Sequence, residues 1–312
     1  MTLHLIPDYD LSKLTWLGVG GKADFFAEVE NEEDLIFFLQ NSQCPMTILG
    51  AGSNVLIRDG GIQGVVLKLG KGFQKITVQE DKIIAGAGAR LMDIACKAAD
   101  AGLAGFEFME GIPGTLGGGL SSNAGAFGGK LSDLLEKVFF ADFRGNKKTI
   151  FNFSDWGYRY SPWAQKGIFL GSVFRAKNKE SPEKIRALMQ EYHSKRLTSQ
   201  PQGVRTAGST FKNPPDISAG FLLEKCGLKG YNKKKASLSA KHANFLVNNG
   251  ATAAELEDFV EEVRAIVAEK QGVQLEWRFN VWEGVKSCGF NGGNFLRTRY
   301  FFVLWQGSDV GA

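Results

Sequence analysis

Apolar positions along this chain follow two rhythms. Between residues 16 and 130 short apolar runs are separated by glycine turns, which predicts strands at 24–29, 46–49, 64–69, 75–78 and 82–85. Two helices interrupt them. One is expected at 32–40 behind Asn31 as N-cap, and another at 91–101, where Leu91, Ile94, Ala95 and Ala98 make an i, i+3, i+4, i+7 stripe. Strands outnumber helices and do not alternate strictly with them, so the pattern suits an α+β layered fold better than a doubly wound sheet. Near residue 178 the rhythm turns helical. Ser181 and Pro182 supply an N-cap followed by proline at the first helical position, and Ile185, Leu188, Met189 and Tyr192 mark one face of a helix expected to open a second domain. Further on, Thr252-Ala-Ala-Glu255 reads as a capping box. Leu256, Phe259, Val260, Val263 and Val267 form the buried stripe behind it, and Gly272 stops the helix.

Composition changes this picture mainly at glycine. A chain of 312 residues that is 44% hydrophobic, 12% aromatic and 22% charged is ordinary globular protein, and its length suggests two domains. A net charge of +4 is too small to predict nucleic-acid or membrane binding, which leaves a small molecule as the expected partner. Cys44, Cys96, Cys226 and Cys288 lie far apart with no C-x-x-C pair, so neither a metal site nor a disulfide framework is expected. The opening residues lack a basic stretch followed by an apolar one, and no run reaches about 18 apolar residues. A soluble, cytoplasmic protein is expected. The anomaly is 39 glycines, clustered, against a usual share of about 7%.

One strand runs straight into Leu49-Gly-Ala-Gly-Ser-Asn54. Glycines there let the backbone turn tightly and approach a ligand, and successive N–H groups can form an anion nest. The third glycine of the dinucleotide fingerprint would fall at Val55 and no periodic helix follows, so a plain tight turn is an equal reading of this segment. The second cluster is Gly111-Ile-Pro-Gly-Thr-Leu-Gly-Gly-Gly119 followed by Asn123-Ala-Gly-Ala-Phe-Gly-Gly129. So much glycine would weaken any strand or helix, and a large flat cofactor lying on bare backbone explains it better than structure alone.

Taken in order, Gly18-Val-Gly-Gly-Lys-Ala23, Leu49-Gly-Ala-Gly-Ser-Asn-Val-Leu56, Gly111-Ile-Pro-Gly-Thr115, Asn123-Ala-Gly-Ala-Phe-Gly128, Tyr158-Arg-Tyr-Ser161, Gly208-Ser-Thr-Phe-Lys-Asn-Pro214, Leu228-Lys-Gly230 and His242-Ala-Asn-Phe245 resemble the UDP-N-acetylenolpyruvylglucosamine reductases over residues 14–277. The resemblance implies an FAD-binding domain of the vanillyl-alcohol oxidase type at 1–180 and a C-terminal α+β substrate domain at 181–277. It also implies NADPH as hydride donor, UDP-N-acetylmuramate for peptidoglycan as product, and a monomer. Leu49, Gly50, Ala51, Gly52, Ser53 and Asn54, with Gly111, Ile112, Pro113, Gly114 and Thr115, would line the cofactor's pyrophosphate and ribityl chain, and Asn123, Gly125 and Ala126 its ring. Arg159 would hold the substrate carboxylate and enolate, and Ser209 would donate the proton. Lys212 and Asn213 are implied substrate contacts. Tyr158 is either another or a buried core tyrosine. The stretch between Tyr158 and Ser209 lacks the lid insertion that some members carry. His193, Lys195 and Arg196 read as a solvated helix end, Lys233-Lys-Lys235 as an exposed turn, and His242 as structural. Two other readings are an oxidase of the same flavin superfamily and a flavin-binding protein with impaired turnover.

The resemblance breaks at one place. The family ends in Gly-x-x-Leu-Glu-x-Glu, its second glutamate being the third catalytic residue, whereas this chain has Gly272-Val-Gln-Leu-Glu-Trp-Arg278. Neither Glu276 nor Glu283 stands at the matching position. Trp277 to Gly284 can be coded TGG AGA TTC AAC GTC TGG GAA GGG, and one G inserted after TGG gives Trp-Glu-Ile-Gln-Arg-Leu-Gly-Arg. That restores the family's glutamate and glycine, so 278–312 is read as an atypical tail produced by a single-base frameshift in the gene or its recorded sequence.

Overall fold

Residues 168–174 are apolar except for Ser172 and show no alternation, and a strand of that kind must be covered on both faces. In the computed structural model, which describes residues 3–42 and 44–282, Gly167–Arg175 is the central strand of a five-stranded sheet. The order is Lys147–Ile150, Leu135–Asp142, Gly167–Arg175, Lys82–Gly86, Ile76–Gln79, and every pairing is antiparallel. Strands appear at all five predicted sites, with ends shifted by up to two residues. The helices, in chain order, are α1 Glu32–Asn41, α2 Leu91–Asp100, α3 Leu116–Ser121, α4 Pro182–Ser199, α5 Ala219–Lys225 and α6 Ala253–Gln271. The mixture of helices and sheets is the expected α+β class. Asn31 caps α1 by accepting from the Asp34 N–H, and the Thr252–Glu255 capping box opens α6, which Gly272 ends at φ 67°.

Two compact units emerge. The first contains Phe26–Ala51 and Val66–Arg196. The second contains Pro7–Phe25, Gly52–Val65 and the described residues from Leu197 onward, and the chain passes between the units within the strands Lys22–Val29 and Ile62–Leu69. The first unit's core joins Leu91, Ile94, Ala95 and Ala98 of α2 to Phe106, Phe140, Trp156 and Phe174. Ile185 and Met189 of α4 are in this same core, so the helix expected to open the second domain belongs to the first unit, and the division falls after Arg196 rather than near 180. A cap and a proline mark where a helix starts. They carry no information about which core receives its apolar face.

In the second unit the α6 stripe packs with Leu222 and Leu223 of α5, Phe211, and Leu238 and Leu246 of the sheet Asn232–Lys233, Ala236–Leu238, Leu246–Asn248. Residues 278–282, assigned to the atypical tail by sequence, continue this unit. Asn280–Trp282 pairs in parallel with Val55–Ile57, and Phe279 and Val281 are buried. Backbone pairing tolerates a changed sequence when alternate positions stay apolar. The rest of the tail, 283–312, lies outside the described residues. No helix among those described is long and apolar enough to cross a membrane.

Candidate functional site

The second glycine cluster is laid against the segment leading into α2. Gly117 N donates to Ala87 O at 2.8 Å, Leu116 N to Ala89 O at 2.8 Å, and Leu91 N to Gly114 O at 3.2 Å. A Cβ on Gly117 would stand 3.3 Å from the Ala87 Cβ, and one on Gly119 would stand 2.9 Å from Leu131. Gly129 likewise lies under the Phe108 ring. Several of these glycines therefore serve close packing, which corrects the expectation that structure explains them poorly. Gly118 differs, since a Cβ there would meet only the Thr115 hydroxyl at 3.6 Å, and Gly50 faces the same hydroxyl at 2.9 Å. Gly50, Thr115 and Gly118 together leave a strip of bare backbone beside one hydroxyl donor.

The neighbouring turn is tied down by Asn123, which is buried and left-handed at φ 43°. Its Nδ2 donates to Gly157 O at 3.0 Å and to Ser132 Oγ at 3.1 Å, while its Oδ1 accepts from Ser132 N at 3.1 Å. This carboxamide fixes Gly157 beside the 123–126 turn. Gly157 and Tyr160 close a small bridge with Tyr158 and Arg159 at its tip. Arg159 sits at φ 56° and donates through Nη2 to Gly125 O at 3.0 Å; its Nε is buried with no hydrogen-bond partner among the described residues. A non-glycine residue at such φ is uncommon, and here it recurs at Asn123 and Phe127 of the neighbouring turn. Tyr158 is 60% exposed, so its core reading fails.

Sequence reasoning misjudged the end of α4. Lys195 is solvated there, paired with Glu191, and the His193 side chain is partly exposed, but His193 and Arg196 both have partners in the first unit. His193 Nδ1 is 2.9 Å from Oε1 of the buried Glu110 carboxyl. Arg196 lies along Gly111 and over the Phe127 ring, 5.2 Å from its centroid. Burial pulls the Arg196 guanidinium below the usual arginine range, with Glu110 opposing and Arg159 assisting. The signal missed was Glu110, an acid directly before the Gly111 loop.

In the second unit Gly52 has φ 67°, and a Cβ there would fall 1.9 Å from Leu14 O, so no other residue fits. Nearby in sequence, the Asn54 Oδ1 is buried without a hydrogen-bond partner among the described residues. A nucleotide cofactor with a diphosphate and a flat ring fits the features of the first unit: bare backbone at Gly50 and Gly118 beside the Thr115 hydroxyl. Leu49, by contrast, is 1% exposed and packs in the protein core. Ser209 makes an isolated antiparallel bridge with Phe245. Lys212 Nζ is paired with Glu276 at 3.0 Å, and Asn213 Oδ1 accepts from Ala219 N at 3.1 Å, capping the approach to α5. Arg278 N donates to Thr210 O at 2.8 Å, and its Nη1 lies 3.4 Å from where a Cβ on Gly208 would stand. Residue 278 therefore reaches the residue before Ser209. The structure thus groups Gly50, Thr115 and Gly118, groups Asn123, Gly125 and Arg159, and groups Ser209, Lys212 and Arg278. A surface cavity of roughly 500 Å³ lined by Lys148, Ile150, Phe151 and Trp163 contains none of the expected residues.

His242 is structural, as expected. Its Nδ1 accepts from Asn244 N at 3.2 Å, and burial holds its imidazole below the usual histidine range, with Glu224 opposing. A folded-state pKa below the unfolded value of about 6.5 means that the protein gains stability from a neutral His242 above that pH, and loses it as pH falls through the folded value. Melting temperature should decline between pH 7 and pH 5, and less steeply in His242→Asn, whose carboxamide can still accept the Asn244 N–H. Parallel pH profiles for the two proteins would contradict this.

A model of the UDP-N-acetylenolpyruvoylglucosamine reductase C-terminal domain matches residues 200–282, and a model of an FAD binding domain matches 23–146. The former extends through Trp282, beyond the point where the quoted motifs stop. A UDP-N-acetylenolpyruvoylglucosamine reductase of Rickettsia akari (strain Hartford) is 44% identical over 280 residues, 88% of this chain and 94% of the relative. One from Rickettsia bellii (strain RML369-C) is 42% identical over 292 residues, 92% and 96%. Among solved structures, the UDP-N-acetylenolpyruvylglucosamine reductase of Thermus caldophilus superposes with a TM-score of 0.76 at 33% identity, covering 90% of this chain and 99% of that one.

Proposed function

The chain belongs to the UDP-N-acetylenolpyruvoylglucosamine reductase family, and on that premise we propose that it reduces the enolpyruvyl ether of UDP-N-acetylglucosamine to UDP-N-acetylmuramate, with FAD bound and NADPH as hydride donor. The product serves peptidoglycan synthesis, and the enzyme works as a cytoplasmic monomer. FAD, when bound, would supply the hydride for reduction of the enol ether. The residues of the chain do the rest. Gly50, Thr115 and Gly118 present backbone and hydroxyl to the cofactor. Arg159 offers its guanidinium to the substrate carboxylate and to the enolate that develops beside it, because charge placed in advance is the largest available stabilisation. Ser209 gives its proton to the carbon next to the carboxylate; a hydroxyl this weak serves only because the enolate is basic and the donor is within reach. Lys212, Asn213 and Tyr158 hold the UDP-sugar.

The observation that carries this reading is Arg159, a guanidinium held in a left-handed turn, whose buried Nε has no hydrogen-bond partner among the described residues. Purified protein should show oxidised-flavin absorbance, lose it with NADPH and regain it when the enolpyruvyl substrate is added without oxygen. A colourless protein that takes up no added FAD would overturn the proposal. Rapid oxygen consumption with a sugar or hydroxy acid and no use of NADPH would indicate the oxidase reading instead.

A further inference from the structure

The segment carrying Ser209 and Lys212 is held on its two edges by different means. On one edge the contacts are ordinary main-chain pairing: Phe211 bridges Trp277, Arg278 N donates to Thr210 O at 2.8 Å, and Lys212 N donates to Glu276 O at 2.9 Å. On the other edge, where Ser209 bridges Phe245 through the main chain, the groups of Phe211 itself are met by one side chain. Asn244, 3% exposed, accepts the Phe211 N–H at Oδ1 (2.9 Å) and donates from Nδ2 to Phe211 O (3.0 Å). Its carboxamide thus satisfies both main-chain groups of one residue, as a neighbouring strand would. The main chain adds to this, since Asn244 O accepts from Thr210 N at 2.8 Å and Leu246 N donates to Thr210 Oγ1 at 2.9 Å.

We infer that Asn244 is a positioning residue for the proton-donating step, acting through the backbone of residues 209–212; this rests on the role proposed for Ser209. The physical demand comes from the donor. A serine hydroxyl is so weak an acid that its usefulness depends on where it is held, and displacements near 1 Å can cost about 10²-fold. Only a side chain with an acceptor and a donor at amide spacing can pair with both groups of Phe211. Aspartate offers two acceptors when ionised, setting one against Phe211 O, and recovers a donor when protonated. The site therefore predicts a pH signature. The titratable or charged groups on the elements that pack around it are His242 beside Asn244, Lys212 with Glu276, and Arg278.

The experiment uses the full-length, FAD-loaded protein and follows the two half-reactions by stopped-flow absorbance in wild type, Asn244→Ala, Asn244→Asp and the Ser209→Ala/Asn244→Ala double variant. Asn244→Ala should slow flavin reoxidation by the enolpyruvyl substrate by about tenfold or more, with bleaching by NADPH changed less than about twofold. The double variant should be no slower than Ser209→Ala alone. Asn244→Asp should be slow at pH 8 and recover toward wild type as pH falls to about 6. Equal slowing of both half-reactions, additive effects in the double variant, or a flat Asn244→Asp profile would each overturn the inference. Amide hydrogen exchange gives a readout independent of turnover. At pH 8 residues 208–213 should exchange faster in Asn244→Asp than in wild type while α6 stays protected. Unchanged exchange at 208–213, or loss of protection throughout α6, counts against a local positioning role. A wild-type protein that bleaches with NADPH but is never reoxidised by the substrate would instead refute the proposed function, and the exchange comparison would still decide the role of Asn244.

Discussion

Exchanging Arg278 for glutamate should raise product formation by about 10²–10³-fold, the usual worth of one preorganised group at a charged transition state, and leave flavin content unchanged. Residue 278 lies opposite Thr210, and its side chain reaches Gly208, so whatever it carries is presented beside Ser209, the proposed proton donor. A guanidinium there is permanently protonated and can neither give nor take a proton at working pH. It also adds a cation to a segment that already carries Lys212, whose partner Glu276 is exposed. As it stands, then, the chain should bind FAD and accept hydride from NADPH but reduce the enolpyruvyl substrate slowly. The single exchange should capture most of the gain of rebuilding the whole tail, because Phe279 and Val281 are already buried and Asn280–Trp282 already pairs with Val55–Ile57. Steady-state turnover with saturating NADPH and substrate, together with flavin per chain, checks this. A variant no faster than the original would mean that another acid acts in the folded site.

Ser209→Ala should slow product formation by at least about 10²-fold while flavin reduction by NADPH stays nearly intact. The asymmetry follows from the proposed order of events, in which the hydroxyl is required only after hydride has reached the substrate. It also follows from placement. Ser209 is held by main-chain contacts to Phe245, and none of its described contacts needs the hydroxyl, so removing one oxygen should not disturb the backbone. Anaerobic stopped-flow traces of the two half-reactions test the point. Equal slowing of both would show that Ser209 is not the donor.

Local rules determined much of this protein from its sequence. The Thr252–Glu255 capping box, the Asn31 cap, Gly272 and the apolar stripes of α2 and α6 are specified by neighbours within a few residues, and each appears where those rules put it. The ordered glycine motifs and the Tyr158-Arg-Tyr-Ser161 and Gly208–Pro214 segments identified the family for a similar reason: the chemistry needs particular residue types in a fixed order. Long-range contacts decided the rest. Which core takes the apolar face of α4 depends on residues such as Ile94 and Phe106, far from it in sequence, so the unit boundary could not be read at Ser181. Arg196 reads as a solvated helix end until Gly111 and Phe127 are brought against it. Asn244 is one amide in a short motif until folding sets it against Phe211, 33 residues earlier in the chain. A residue's own neighbours can specify a cap or a stripe, but a buried carboxamide gains its role from a partner that only the tertiary structure supplies.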